Sequence, residues 1–160
     1  MDKVKQTIQS AIKENDSHVQ RLERSKDLLA KFFPLDVQSF PHISEEQIEH
    51  IDQFIYRFTR LQDSMGTRLL PAIHSWLEDS TKALPFIDII NRLEKLQLIE
   101  DVQQWQLFRN LRNNLEHDYP ESLEQTVNNL NLLFQKIDLL KYMYLKIRDY
   151  WLERSKPNHK

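Results

Sequence analysis

The chain contains no cysteine, and only one of its 160 residues is glycine, Gly66. The first absence excludes disulfides, thiolate zinc sites and cysteine nucleophiles. The second, against a usual ~7% glycine, leaves few positions free to take positive φ. That argues against β-hairpins and against glycine-rich loops that cradle nucleotide phosphates. No apolar run approaches the ~18 residues of a membrane span, and the opening MDKVKQTIQSAIKENDS is polar and amphipathic rather than a signal peptide. The formal net charge is −2, so a polyanionic partner has to be held by a local patch rather than by the field of the whole molecule. A cytoplasmic protein with no membrane association is the expectation.

Leu, Gln, Glu, Lys and Arg dominate, all good helix formers. The expected class is all-α: an antiparallel bundle of four main helices, some of them broken, in one domain over 1–154, with 155–160 a disordered tail. A first helix is expected from Asp2 to Phe33, ended by Pro34, with Asn15 and Asp16 a weak point where it could divide in two. Pro34 and Pro41 mark a loop. Ser44 and Gln47 have the spacing of a capping box. The helix behind it carries Ile48, Ile51, Ile55, Phe58, Met65 and Leu69 at three- and four-residue steps. Gln62 interrupts that seam, either as a satisfied core amide or as a residue facing a polar site. Gly66 and Pro71 are expected to kink or split the helix. A short helix Leu69–Asp79, a turn over Ser80–Leu84 and a helix from Pro85 to about Gln97 follow. Asp101 is placed to cap the next helix, and Pro120 to open the last, which runs to about Arg154.

The densest set of polar groups lies in Trp105–Pro120, WQLFRNLRNNLEHDYP. Phe108, Leu111 and Leu115 define an apolar stripe, and Arg112 falls on its flank. A guanidinium at the edge of a core must find an anion or a polar cleft, because burial without a partner is costly. On an unbroken helix Arg112 and His117 would point roughly 140° apart. Pro120 disfavours the α conformation at Tyr119 and so stops the helix near His117. Glu116, His117 and Asp118 are consecutive and diverge, and HExxH is absent, so no metal site is expected. Arginine and histidine together suit RNA cleavage without metal: a base for the 2′-hydroxyl proton and a cation for the charge growing on phosphorus.

Arg112-Asn-Asn-Leu-Glu-His117-Asp-Tyr119 fits RX4HXY, and in this it resembles the signature of HEPN-domain proteins. It is especially like the toxins paired with minimal nucleotidyltransferase (MNT) antitoxins, the HepT–MntA type. Asn113, directly after the arginine, suits that family's preference for a polar residue there. The stretch YRFTRLQDSMG, Tyr56 to Gly66, resembles it more loosely. Arg154 and His159 form a second RX4H in the tail, without the tyrosine, which reads as accidental.

The resemblance implies a homodimer in which Arg112 and His117 of each subunit share one phosphate site across a cleft. It implies a metal-independent endoribonuclease toxin acting on tRNA or mRNA, without a cofactor. The partner nucleotidyltransferase would silence it by adding AMP to Tyr119 (AMPylation), whose charge and bulk repel an RNA phosphate. The alternative is the same fold used as a non-catalytic, nucleotide- or substrate-binding subunit of a nucleotidyltransferase complex. Geometry alone adds two expectations. Asn113 could orient the phosphate or His117, and Arg109 could extend the anion site or stack on Trp105.

Overall fold

The computed structural model describes residues 2–116 and 122–156. Among these the protein is all-helical, without strands. The elements are α1 (Asp2–Leu29), a 3-10 turn (Phe40–His42), α2 (Glu45–Ser64), a π turn (Met65–Leu69), α3 (Leu70–Glu78), α4 (Phe86–Lys95), α5 (Val102–Glu116) and α6 (Leu123–Arg154). Because α2, the π turn and α3 run on without interruption, the described residues form five helices rather than four main ones. No described helix is long and apolar enough to cross a membrane. Of the expected tail 155–160, Ser155 caps α6, its amide reaching the Trp151 carbonyl at 2.8 Å, and the residues beyond Lys156 lie outside the described residues.

Local chemistry sets most boundaries. The Ser44 hydroxyl accepts from the Gln47 amide at 3.1 Å and the Gln47 side chain accepts from the Ser44 amide at 2.9 Å, so the capping box is formed. Asp101 accepts from the Gln103 amide at 2.8 Å, and Glu94 accepts from the Val102 amide at 2.7 Å, which together satisfy two first-turn donors of α5. The helix α4 ends in a Schellman turn built without glycine. Gln97 takes φ 62, its amide reaches the Glu94 carbonyl, and the Leu98 amide reaches the Leu93 carbonyl. Leu93 and Leu98 are both buried and supply the apolar contact that accompanies the motif. Asp79, φ 47, ends α3 in the left-handed region as well.

Four expectations about boundaries are corrected. First, α1 does not divide at Asn15. The residue is 0% exposed, and packing overrides its weak propensity. Asp16 beside it accepts from the Tyr144 hydroxyl at 2.7 Å and from Arg148 at 3.0 Å, which ties α1 to α6. Second, α1 ends at Leu29, not Phe33, and a looser turn closed by Phe33 N to Leu29 O carries the chain to Pro34. Third, Gly66 and Pro71 do not split the helix. The π turn ahead of Pro71 widens the coil where the ring would meet the carbonyl four residues back, and the Leu70 amide reaches Met65 instead. Fourth, α6 opens at Leu123 with Ser122 as its cap, not at Pro120. Pro120 itself lies outside the described residues.

Packing departs from the simple seam on α2. Ile48 is exposed, while Phe54 and Leu61 are fully buried. The reason is that α2 has neighbours on two sides, α1 and α5, and so buries a broader face than one stripe. α5 also lies against α6, and α4 against α3 and α5. Phe58 of α2 meets Phe108 of α5 with ring centroids 6.1 Å apart.

A polar seam joins α1 to α2. Buried His18 stands between Glu14, 3.3 Å from Nε2, and Arg57, 3.0 Å from Nδ1. Glu14 also pairs with Arg60 and Arg68. With Arg57 donating to Nδ1, the imidazole is neutral and its Nε2–H donates to Glu14. Burial pushes the His18 pKa below its ordinary value, against the pull of Glu14 and with help from Arg57 and Arg60. The folded state therefore binds this proton less readily than the unfolded chain. The stability it confers is complete above the unperturbed value near ~6.5 and is lost as pH falls below it. Urea midpoints measured at pH 7.5 and 5.0 are expected to drop more for the wild type than for His18→Gln. Equal drops would show that His18 is not a source of acid sensitivity.

Candidate functional site

Arg112 sits on α5 one turn beyond Phe108, which is fully buried in the core. That anchoring leaves the guanidinium at the core's edge with its side chain 22% exposed. The anion that its position demands is Asp63 of α2. Nε donates to Oδ1 at 2.8 Å and Nη2 to Oδ2 at 3.0 Å, a two-pronged pair with the geometry that guanidinium favours. The remaining nitrogen, Nη1, donates to Glu116 at 3.0 Å. Hydrogen bonding to Asp63 raises the Arg112 pKa further, against some burial, so the group stays charged.

The two carboxylates differ in what they do. Asp63 bridges separate helices and fixes the plane of the guanidinium. Glu116 lies one turn along the same helix and is 59% exposed. An exposed i, i+4 pair of this kind is worth only a few tenths of a kcal/mol. A stronger anion can therefore take Nη1 from Glu116 without disturbing the Asp63 clamp.

The clamp forms one wall of a pocket of about 390 Å³, within the size range of small-molecule sites. α2 and the π turn contribute Gln62, Asp63, Gly66 and Thr67, and α5 contributes Trp105, Arg109, Arg112 and Asn113. Phe86, at the start of α4, closes one end, its ring centroid 5.6 Å from that of Trp105. The only glycine has a packing role here. A Cβ on Gly66 would stand 3.1 Å from Cζ2 of Trp105, so its absence lets the indole lie against the π turn. Gln62 is 3% exposed, and its side-chain oxygen meets no hydrogen-bond partner. It is therefore not a satisfied core amide, and it lines the pocket.

Arg109, Arg112 and Asn113 are thus brought to one opening. Arg109 does not stack on Trp105. Phe86 is the aromatic neighbour of Trp105 instead, and the arginine, exposed, makes no ion pair among the described residues. His117 and Tyr119 lie outside the described residues. No group of three or more His, Asp or Glu with metal-binding geometry occurs among the described residues.

Asp63, which sequence reasoning missed, belongs to the Tyr56–Gly66 stretch already noted for its looser resemblance. Its neighbour Gln62 was singled out, but nothing in a separation of 49 residues pairs Asp63 with Arg112. Comparison of the chain with protein-family models, with curated proteins and with solved structures finds no match.

Proposed function

We propose that this chain is a metal-independent endoribonuclease toxin of the HEPN type, a cytoplasmic antiparallel helical bundle that works as a homodimer. The observation that carries the reading is the placement of Arg112. A charged guanidinium, held rigid by Asp63 and covered only by an exposed glutamate, stands at an open pocket beside Arg109 and Asn113. In the chain it is followed by the motif that ends in His117 and Tyr119. Arg112 stabilises negative charge on the phosphorane-like transition state, and Asn113 and Arg109 hold the phosphate. His117 takes the 2′-hydroxyl proton as the 2′-oxygen attacks phosphorus, and the 5′-oxygen leaves with a proton from solvent, giving a 2′,3′-cyclic phosphate. Two copies related by a two-fold axis place a pair of arginines on one RNA phosphate. Addition of AMP to Tyr119 by a partner nucleotidyltransferase silences the site by charge and bulk.

One observation favours a second reading. Each of the three guanidinium nitrogens of Arg112 already donates to a carboxylate, Asp63 or Glu116, as suits a binding subunit that never performs chemistry. The two readings separate in one assay. Unmodified wild-type protein, its intact mass checked for added AMP, is incubated with total tRNA and with mRNA in EDTA beside His117→Ala. Cleavage by the wild type and none by the variant is the expected result. No cleavage of either RNA by unmodified wild type would overturn the nuclease and leave the binding subunit.

A further inference from the structure

The seam between α1 and α2 gathers more positive charge than it needs to hold itself together. Arg57, Arg60 and Arg68 all turn toward α1, where Glu14 is the one carboxylate paired with any of them among the described residues. Arg60 stands 3.5 Å from it, and Arg68 donates to it and, at 3.0 Å, to the Ser10 hydroxyl. Arg57 donates to the neutral His18 and lies 5.1 Å from the ring of Tyr56. Arg21, seven residues beyond Glu14 and so on the same side of α1, is exposed and makes no ion pair among the described residues. The excess is local, because the whole chain carries a formal charge of −2. An aromatic side chain stands among these groups without a core to explain it: Tyr56 is 51% exposed, next to Arg57 and one turn before Arg60. We propose that this face of α1 and α2 binds single-stranded nucleic acid, with Arg21, Arg60 and Arg68 toward its phosphates and Tyr56 under an unpaired base.

The chemistry of each part points to that ligand. Each phosphate met by a guanidinium releases condensed counterions, which favours a polyanion over a small anion. Half of the Arg60 side chain and over a third of that of Arg68 are open to solvent, so both can reach a strand lying on the surface. Stacking on tyrosine requires a base that is not held in a duplex, and it accepts any base. Positive charge with an exposed aromatic among it thus describes an unpaired strand rather than an acidic polypeptide, which offers the charge but no base. The patch also adjoins the Arg112 clamp. Arg60 precedes Asp63 by three residues on α2, so a strand with one phosphate at Arg112 can continue across α2 onto this face. That this strand is the substrate rests on the nuclease reading, whereas binding of the strand does not.

The test uses fluorescein-labelled oligodeoxythymidylate, which has no 2′-hydroxyl to attack phosphorus, titrated with the full chain across a salt series and read by anisotropy. It is expected to bind more tightly than a DNA duplex of the same length. Arg60→Gln should weaken binding and make the slope of log affinity against log salt shallower by about 0.7, the value for one phosphate contact on a single strand. Lys136→Gln makes the same charge change at an exposed position on α6 and should leave the slope unchanged. Tyr56→Ala should weaken the single strand about fivefold or more, with the slope unchanged, because a stacked base rather than a phosphate is lost. Glu14→Gln should tighten binding, since it removes the one carboxylate that competes with phosphate for these arginines. Arg60 and Tyr56 are each half exposed, so their variants should melt with the wild type. Equal slopes for Arg60→Gln and Lys136→Gln, a duplex bound as tightly as the single strand, or full displacement by polyglutamate at equal charge would overturn the proposal. The EDTA cleavage assay reports separately. Cleavage by wild type with unaltered binding in Arg60→Gln overturns this surface and keeps the nuclease. Binding that depends on Arg60 and Tyr56 without cleavage keeps the surface and overturns the nuclease.

Discussion

Arg112→Ala is expected to lower RNA cleavage by ~10²–10³-fold, the cost of removing one preorganised donor from developing oxyanion charge. The fold should survive, because Asp63 and Glu116 are both substantially exposed and become solvated once the guanidinium is gone. Arg112→Lys is the sharper variant. It keeps the charge, but an ammonium cannot occupy both Asp63 oxygens in a plane and also direct a fork at phosphate. Most of the activity is expected to be lost with lysine as well. Asp63→Ala is expected to lower cleavage about tenfold by releasing the guanidinium, since a small misplacement of a catalytic group is costly. If Asp63 acts only through Arg112, the double variant will be no worse than Arg112→Ala alone. Single-turnover cleavage rates, on protein whose mass shows Tyr119 unmodified, measure all four. Activity of Arg112→Ala within twofold of wild type would remove the arginine from the mechanism.

Phe108→Ala is expected to destabilise the protein by about 3–5 kcal/mol, the usual range for truncating a fully buried phenylalanine. Phe108 is 0% exposed and packs on Phe58, so its removal opens a cavity between α2 and α5. At this chain length each kcal/mol moves the melting temperature by about 2–4 °C, which gives a fall of roughly 6–20 °C. The same contact sets the spacing between Asp63 and Arg112, one turn further along α5, so cleavage should fall at temperatures where the variant is still folded. Ile87→Ala, at an exposed position on α4, is the control and should stay within about 0.5 kcal/mol of wild type. Urea midpoints with an unchanged slope separate lost stability from a changed denatured state. A Phe108→Ala midpoint equal to that of Ile87→Ala would mean that the α2–α5 contact is not part of the core.

The all-helical class, the capping box at Ser44, the cap at Asp101 and the burial of Phe108 and Leu111 were legible in the chain itself. Each depends on residues within one turn of each other, so local hydrogen bonding and helical period decide them. The need of Arg112 for an anion was legible for the same reason: its angular position beside an apolar stripe follows from the sequence of α5 alone. The identity of that anion was not. Asp63 comes from another helix, and only the packing of α2 on α5 through Phe58 and Phe108 brings the carboxylate to the guanidinium. Of the kink or split that Gly66 and Pro71 suggest, the split does not occur, although each disfavours a helix locally. The contact of Trp105 with Gly66 and the burial of Met65 and Leu69 hold the coil together across them. Asn15 is the same case. Its intrinsic preference is for a helix end, yet burial between helices keeps α1 continuous. Gln62 could be flagged from its interruption of an apolar seam, but only the tertiary structure decided that its oxygen is buried without a partner beside a pocket. Local interactions fixed where the helices lie along the chain, and contacts between residues far apart in it decided which polar groups meet.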